Sequence, residues 1–265
     1  LVGYLAANPA INVTTQQVGK LLTLTDFLLL GAGVGTGRTF TAADAYLAQP
    51  NLYGGLTAAA THLKLAIAKC HVVPNSLTAS STQDANIPLS IWCVEDLAAE
   101  TKPAAIVITE GAALPATAIV EERYALGPMT IGGVQIPRLS SFTLNPGIRR
   151  EGSSASGRAV DSSSWITYRE PTYTATTDSF DLFGTVGIFG GAATVEVVQY
   201  LRKRVEFDGP VADTDEEHIS LTFTCLLTPD SISGSPKALM TQTLNAQIVG
   251  AIAVDTTTTI PAAGA

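Results

Sequence analysis

Along the C-terminal half of the chain, apolar residues recur at every second position. That is the period of a strand with one buried face. The alternation is cleanest over residues 219–225, with Ile219, Leu221, Phe223 and Cys225 on one face and Ser220, Thr222 and Thr224 on the other. Residues 238–248 repeat it, setting Met240, Leu244, Ala246 and Ile248 against Thr241, Thr243, Asn245 and Gln247. Residues 194–205 place Val195, Val197 and Leu201 together, and residues 165–177 alternate Trp165, Thr167 and Arg169 with Ile166 and Tyr168. Strands at 119–126 and 129–131 flank Gly127-Pro128, which reads as a turn, and Gly132-Gly133 marks the next turn. A strand over 134–144 follows, and Pro137 points to an edge or a bulge. Residues 105–108 read as a buried run, and a short helix is expected at 178–183. Short strands separated by turn signals predict a mainly β fold, an antiparallel sandwich or barrel.

The N-terminal pattern is mixed. Residues 18–30 are apolar without one period. Residues 41–48 predict a short helix, opening on a Thr41 cap and stopping before Pro50. Residues 62–73 alternate as a strand, the Ser/Thr/Asn-rich stretch 74–86 reads as a loop, and Leu89, Ile91 and Cys93 fall in phase in a strand over 87–94. The expected organisation is an α+β region over residues 1–103, a β-sandwich assembly domain over 104–250 and an extended C-terminal arm over 251–265.

Composition adds a constraint. Of the 265 residues 46% are hydrophobic and 14% charged, against roughly 25% charged in an average soluble protein. So little charge implies that much of the surface is buried against other subunits. The apolar stretch 21–30 is interrupted by Thr23, Thr25 and Asp26, too broken to span a membrane. The formal net charge of −8 argues against a dedicated nucleic-acid binder. The chain opens on Leu1 without a secretory-signal pattern, and its initiator end is expected to be missing or processed.

Chemistry-bearing motifs are weak. The run Gly31, Gly33, Gly35, Gly37 lacks the spacing of a dinucleotide loop, and Arg38 stands where a P-loop needs lysine. Two residues after Ser154 stands Ser156 rather than the glycine of a nucleophile elbow. His62 and His71 have no acidic neighbour in sequence. Asp213, Asp215, Glu216, Glu217 and His218 form the densest acidic cluster, but the glycine and distal glutamate of a calcium loop are missing. Cys70, Cys93 and Cys225 form no Cys-x-x-Cys and read as small buried hydrophobes. Arg202-Lys203-Arg204 and Glu121-Glu122-Arg123 read equally as solvated faces or as contacts between subunits. No enzymatic activity, cofactor or metal is expected. A carboxylate-dependent hydrolase using Asp213, Asp215 and Glu217 is the enzymatic alternative.

The most informative feature is a long two-stranded element, with residues 140–150 as one arm and 165–177 as the other. The connection, 151–164, is rich in Ser and Gly and far longer than the usual 2–5 residues of a hairpin loop. Such a loop is sensible if a neighbouring subunit covers it. The expected contacts are Arg149, Arg150, Glu151, Arg158 and Asp161.

This order of strand, long loop, strand, short helix and further strands resembles the tail tube proteins of long-tailed bacteriophages. The resemblance is carried by residues 140–177 (SSFTLNPGIRREGSSASGRAVDSSSWITYREPTYTATT), then Asp178-Ser-Phe-Asp-Leu-Phe183 and the strands at 195–205, 219–225 and 239–248. It implies a virion structural protein assembled in the host cytoplasm as stacked, hexameric rings of a homo-oligomer. Other virion proteins would be its partners, with no membrane involved, and DNA would pass without specific binding. Glu121, Glu122, Asp178 and Asp181 are then candidate lumen or interface charges. A capsid, cement or surface-layer subunit is the alternative assembly.

Overall fold

The computed structural model describes residues 10–23, 39–40, 43–47, 62–67, 69–94, 106–114, 122–136, 138–153, 161, 163–178, 194–205, 209–235 and 238–262. In chain order the elements are β1 (Ala10–Thr15), α1 (Val18–Leu22), β2 (Thr39–Phe40), β3 (Ala43–Leu47), β4 (His62–Ile67), β5 (Cys70–Pro74), β6 (Leu77–Ser80), β7 (Gln83–Cys93) and β8 (Ile106–Ala112). There follow β9 (Arg123–Ile131), β10 (Val134–Ile136), β11 (Leu139–Asn145), β12 (Ile148–Ser153), β13 (Ser163–Arg169), β14 (Thr172–Thr177), β15 (Val195–Val205), β16 (Gly209–Pro210), β17 (His218–Ser235) and β18 (Ala238–Thr258). The fold is mainly β and antiparallel, as the alternation predicts. It is sandwich-like, and among the described strands no barrel closes.

One 13-stranded sheet runs in the order β10-β9-β15-β17-β18-β14-β11-β6-β7-β5-β2, with β1 on β7 and β16 on β15. Most of its inward residues make one core. Ile219, Leu221, Phe223 and Cys225 of β17 meet Leu244, Ala246 and Ile248 of β18, Phe142 and Leu144 of β11, and Ile87 and Leu89 of β7. The sheet and this core draw on both sides of residue 103, because β6 pairs with β11 through Ser80↔Ser141 to Leu77↔Leu144. The expected boundary between residues 103 and 104 is therefore not a boundary of the hydrogen bonding. Separate from the main sheet are a three-stranded sheet, β3-β4-β8, and the β12-β13 pair.

Several local expectations are corrected. Residues 43–47 are strand rather than helix. Helix propensity is a weak preference that tertiary pairing overrides, and pairing from Ala43↔Ile67 to Leu47↔Leu63 satisfies their backbone. The stretch read as a loop over 74–86 holds β6 and the start of β7. Its Ser and Thr residues are the outer face of a strand whose inner face is Leu77 and Ala79. The strand expected over 62–73 divides into β4 and β5. Of the run expected to be buried at 105–108, residues 106–108 belong to a largely exposed strand, β8, and residue 105 lies outside the described residues. Gly127-Pro128 is no turn. Gln199 opposes Met129 and Leu201 opposes Leu126, so both residues face the single Tyr200 in a bulge. The strand expected over 134–144 breaks into β10 and β11 at Arg138, which has φ 56°. The C-terminal segment is extended but not a free arm, since β18 pairs with β17 as far as His218↔Thr258 and Ile260 is buried. The helix expected at 178–183 lies, after Asp178, outside the described residues.

The long hairpin forms, but its connection is shorter than expected, because residues 151–153 and 163–164, read as loop, pair as strand. Its root is β11-β14, paired from Leu139↔Thr177 to Asn145↔Thr172, and its arm is β12-β13, from Ile148↔Arg169 to Ser153↔Ser163. Between them the chain turns a corner at Gly147, φ 61°. The Gly147 N–H donates to Asn145 Oδ1 at 2.8 Å, and Glu170 N–H donates to the Gly147 carbonyl at 3.2 Å. A Cβ at residue 147 would overlap the Glu170 backbone, so only glycine suits this position.

Candidate functional site

The most concentrated polar chemistry lies where the hairpin arm meets β5 and β7. Register brings His71 of β5 directly opposite Trp92 of β7. From the hairpin come Arg150 on β12, Ser164 on β13 and Asp161, which bridges to Val94 just past β7. Arg150 Nη2 meets Asp161 Oδ2 at 2.5 Å, with the two side chains 8% and 3% exposed. The Arg150 Nε–H donates to Ser164 Oγ at 2.6 Å, and the guanidinium lies 4.6 Å over the Trp92 ring. Ser164 Oγ in turn lies 2.6 Å from His71 Nδ1. Because Oγ accepts from Arg150, its own proton is free to go to Nδ1, and we assign the His71 proton to Nε2. Gly152 makes room for this cluster, since a Cβ there would overlap the Asp161 carboxylate.

His71 is fully buried, and its Nε2 has no hydrogen-bond partner. Burial first, and then the neighbouring positive charge of Arg150, lower its pKa to about 4. This arrangement does not make a nucleophile. Ser164 Oγ accepts a hydrogen bond from a guanidinium, which withdraws electron density, and Asp161 orients Arg150 rather than the imidazole. The cluster is a fastener that holds the hairpin arm to the sheet. Neutral His71 is part of it, so stability is full above the ordinary histidine range of about 6.5. As pH falls below that range, the opened or unfolded chain takes up a proton that the closed form refuses, until about pH 4. The expected loss over this window is on the order of 1–3 kcal/mol. Urea unfolding at a series of pH values checks it, with His71→Gln losing that part of the slope. An unchanged slope in the variant would assign the effect to other groups.

Of the residues expected to contact a neighbouring subunit, Arg150 and Asp161 thus meet each other within one chain. Arg149 and Glu151 are exposed on the arm, and Arg158 lies outside the described residues. Glu121 and Asp181 also lie outside them. Asp178 donates its backbone N–H to the Arg138 carbonyl at 3.1 Å, at the hairpin root. Glu122 lines a cleft of about 340 Å³ between α1 and the end of the sheet, with Lys20, Lys203 and Glu217. In that cleft burial, together with the Glu122 and Glu217 charges, pushes the Tyr124 hydroxyl up to about 12.

The basic run Arg202-Lys203-Arg204 is paired with acidic side chains of the same chain. Arg202 clasps Asp213 through Nε at 2.7 Å and Nη2 at 2.9 Å. Lys203 meets Glu217 at 2.8 Å, and Arg204 meets Asp84 at 2.9 Å. The Glu217 carboxyl is held below its ordinary value by that lysine. His218 is buried, accepts the Lys203 backbone N–H at Nδ1 and donates from Nε2 to the Ala212 carbonyl. Within the acidic cluster, Asp213 and Glu217 are therefore bound to arginine and lysine, and His218 to backbone. Among the described residues, no group of His, Cys, Asp and Glu gathers as a metal site, and no helix is long and apolar enough to cross a membrane. An open cavity of about 720 Å³ is lined by Thr14, Gln17, Thr82, Asp84, Asn86 and Arg123.

His71, Trp92 and Ser164 were missed in the sequence. The one signal was a histidine and a tryptophan in otherwise apolar runs, and it becomes legible only once β5 and β7 are known to pair. Compared with known proteins, the chain matches no family model and no curated relative.

Proposed function

We propose that this protein is a non-enzymatic structural subunit that assembles with copies of itself, in the manner of a phage tail tube protein. The observation that carries this reading is the small sheet β3-β4-β8. On its outer strands Leu47, Val107 and Ile108 are 59%, 48% and 63% exposed. Val107 and Ile108 are successive, so both faces of β8 carry uncovered apolar side chains. Among the described strands β8 has no second neighbour and stands at an edge of its sheet. A monomer avoids such an edge, because it invites strand pairing with another chain. The low charge content and the long hairpin support the same reading. Rings of such subunits would form a conduit, and the acidic balance would keep DNA from binding its wall.

Negative-stain imaging and sedimentation of the purified protein test this. The expected result is rings or tubes that grow with concentration. Ile108→Asp, at an exposed position, is expected to leave the fold intact and shift the protein to monomers. Closed shells would replace the tube by a capsid or cement role, and monomers at every concentration would overturn the reading.

A further inference from the structure

We propose that Cys70 and Cys93 are a modification site: a cross-strand pair that closes to a disulfide when the folded protein meets a small-molecule disulfide. The argument rests on register. β5 and β7 are antiparallel, and Cys70 lies directly opposite Cys93. Antiparallel partners are of two kinds, hydrogen-bonded and non-hydrogen-bonded, and only the backbone bonds tell which. The Val94 N–H donates to the Lys69 carbonyl at 2.9 Å, just outside the cysteine pair. At the other end of the ladder the Asn75 N–H donates to the Pro88 carbonyl at 2.9 Å, just outside Pro74↔Leu89. Both pairs are therefore of the non-hydrogen-bonded kind. Pro74, which has no N–H to offer, fits that phase.

In such pairs the Cα atoms are about 4.5 Å apart and the side chains stand closest. That separation lies inside the roughly 4.4–6.8 Å window for a disulfide. The next pair along, His71↔Trp92, is hydrogen-bonded and wider, so the cysteines occupy the favourable phase. Both thiols are free and buried, and they pack together with Ile67 in a small cluster apart from the main core. Cys225 belongs to the main core instead and serves as an internal control.

The step balances with glutathione disulfide as oxidant. One cysteine, deprotonated, attacks a glutathione sulfur and expels a glutathione thiolate, leaving a mixed disulfide. The second cysteine, deprotonated in turn, attacks the protein-side sulfur and expels the other glutathione. Two S–H bonds and one S–S bond become one intramolecular S–S bond and two glutathione thiols. The protein is oxidised by two electrons and glutathione disulfide is reduced by two. Burial raises both thiols, Cys70 to about 11 with the adjacent Cys93 adding to the effect. The thiolate is therefore scarce at neutral pH, and the rate should climb as pH rises.

The test is incubation of the folded protein with glutathione disulfide, an acid quench, alkylation in denaturant and peptide mass mapping. The expected result is a Cys70–Cys93 linked peptide, reversible by dithiothreitol, with Cys225 still alkylated. Cys225→Ser should give the same bridge, and Cys93→Ser should give none. If Cys93→Ser fails to fold, the Cys225→Ser result decides alone. Three alkylated thiols after a time that oxidises a denatured control would overturn the proposal. So would a stable glutathione adduct on one cysteine with the other alkylated.

Discussion

Arg150→Met is expected to lower the unfolding free energy by about 3–5 kcal/mol, because it leaves a buried carboxylate without its counter-charge. Asp161 has only 3% of its side chain exposed, and Arg150 meets it at 2.5 Å. The substitution also deprives Ser164 of its donor and Trp92 of the cation above its ring. Methionine keeps most of the volume, so the loss reports charge and hydrogen bonding rather than a cavity. Urea unfolding measures it. The double variant Arg150→Met with Asp161→Leu removes both charges and should recover much of the loss. A cost below about 1 kcal/mol for the single variant would place the pair in the class of solvated surface bridges. Deletion of residues 152–163 would remove Asp161 as well, so it is expected to weaken the fold and not only any assembly.

Tyr173→Ala is expected to cost a similar amount, about 3–5 kcal/mol, by a different route. Tyr173 is fully buried, with its ring 5.9 Å from Phe142 and 5.1 Å from Phe223. It packs between rings carried by β11 and β17, so its removal leaves a cavity between them. Its hydroxyl donates to Gln199 Oε1 at 2.6 Å. Gln199, also buried, uses Nε2 to reach the carbonyls of Gly127, Pro128 and Tyr200 at 3.3, 3.4 and 2.8 Å. These carbonyls belong to the bulge where β9 meets β15, and Gln199 satisfies acceptors that the interrupted ladder leaves over. Tyr173→Phe keeps the ring and leaves Gln199 Oε1 without its donor, at an expected cost of about 1–3 kcal/mol. Thermal or urea unfolding of the two variants separates packing from hydrogen bonding. Equal losses would mean that the hydroxyl, not the ring, carries the stabilisation.

Legibility in the sequence followed periodicity. Wherever one face of a strand is buried and the other wet, as in Ile219 to Cys225, alternation is imposed on the chain and can be read back. Leu77, Ala79, Ala85 and Ile87 obey the same rule, but Ser and Thr between them looked like loop chemistry. Gly127-Pro128 looked like a turn because a proline has no ladder N–H in either setting, and only the register against the single Tyr200 makes it a bulge. The helix expected at 41–48 rested on local propensity, which pairing with β4 overrides.

The site was less legible than the fold. Arg150 and Asp161 stand out in sequence as charges in a Ser/Gly-rich segment. Their partners His71 and Trp92 come from strands far earlier in the chain, and no local pattern links them. The same holds for the cysteines, whose closeness depends on which of two pairing phases β5 and β7 adopt.

By itself the sequence determined a mainly β, antiparallel chain, its inward residues and its long hairpin, because burial of one strand face writes a period of two into neighbouring residues. Only the tertiary structure decided that the N-terminal strands join the same sheet, that the basic run pairs with acidic residues of the same chain, and that a buried arginine clasps the hairpin. Those contacts join residues distant in the chain, and their energies depend on distance, burial and register, which adjacent residues do not record.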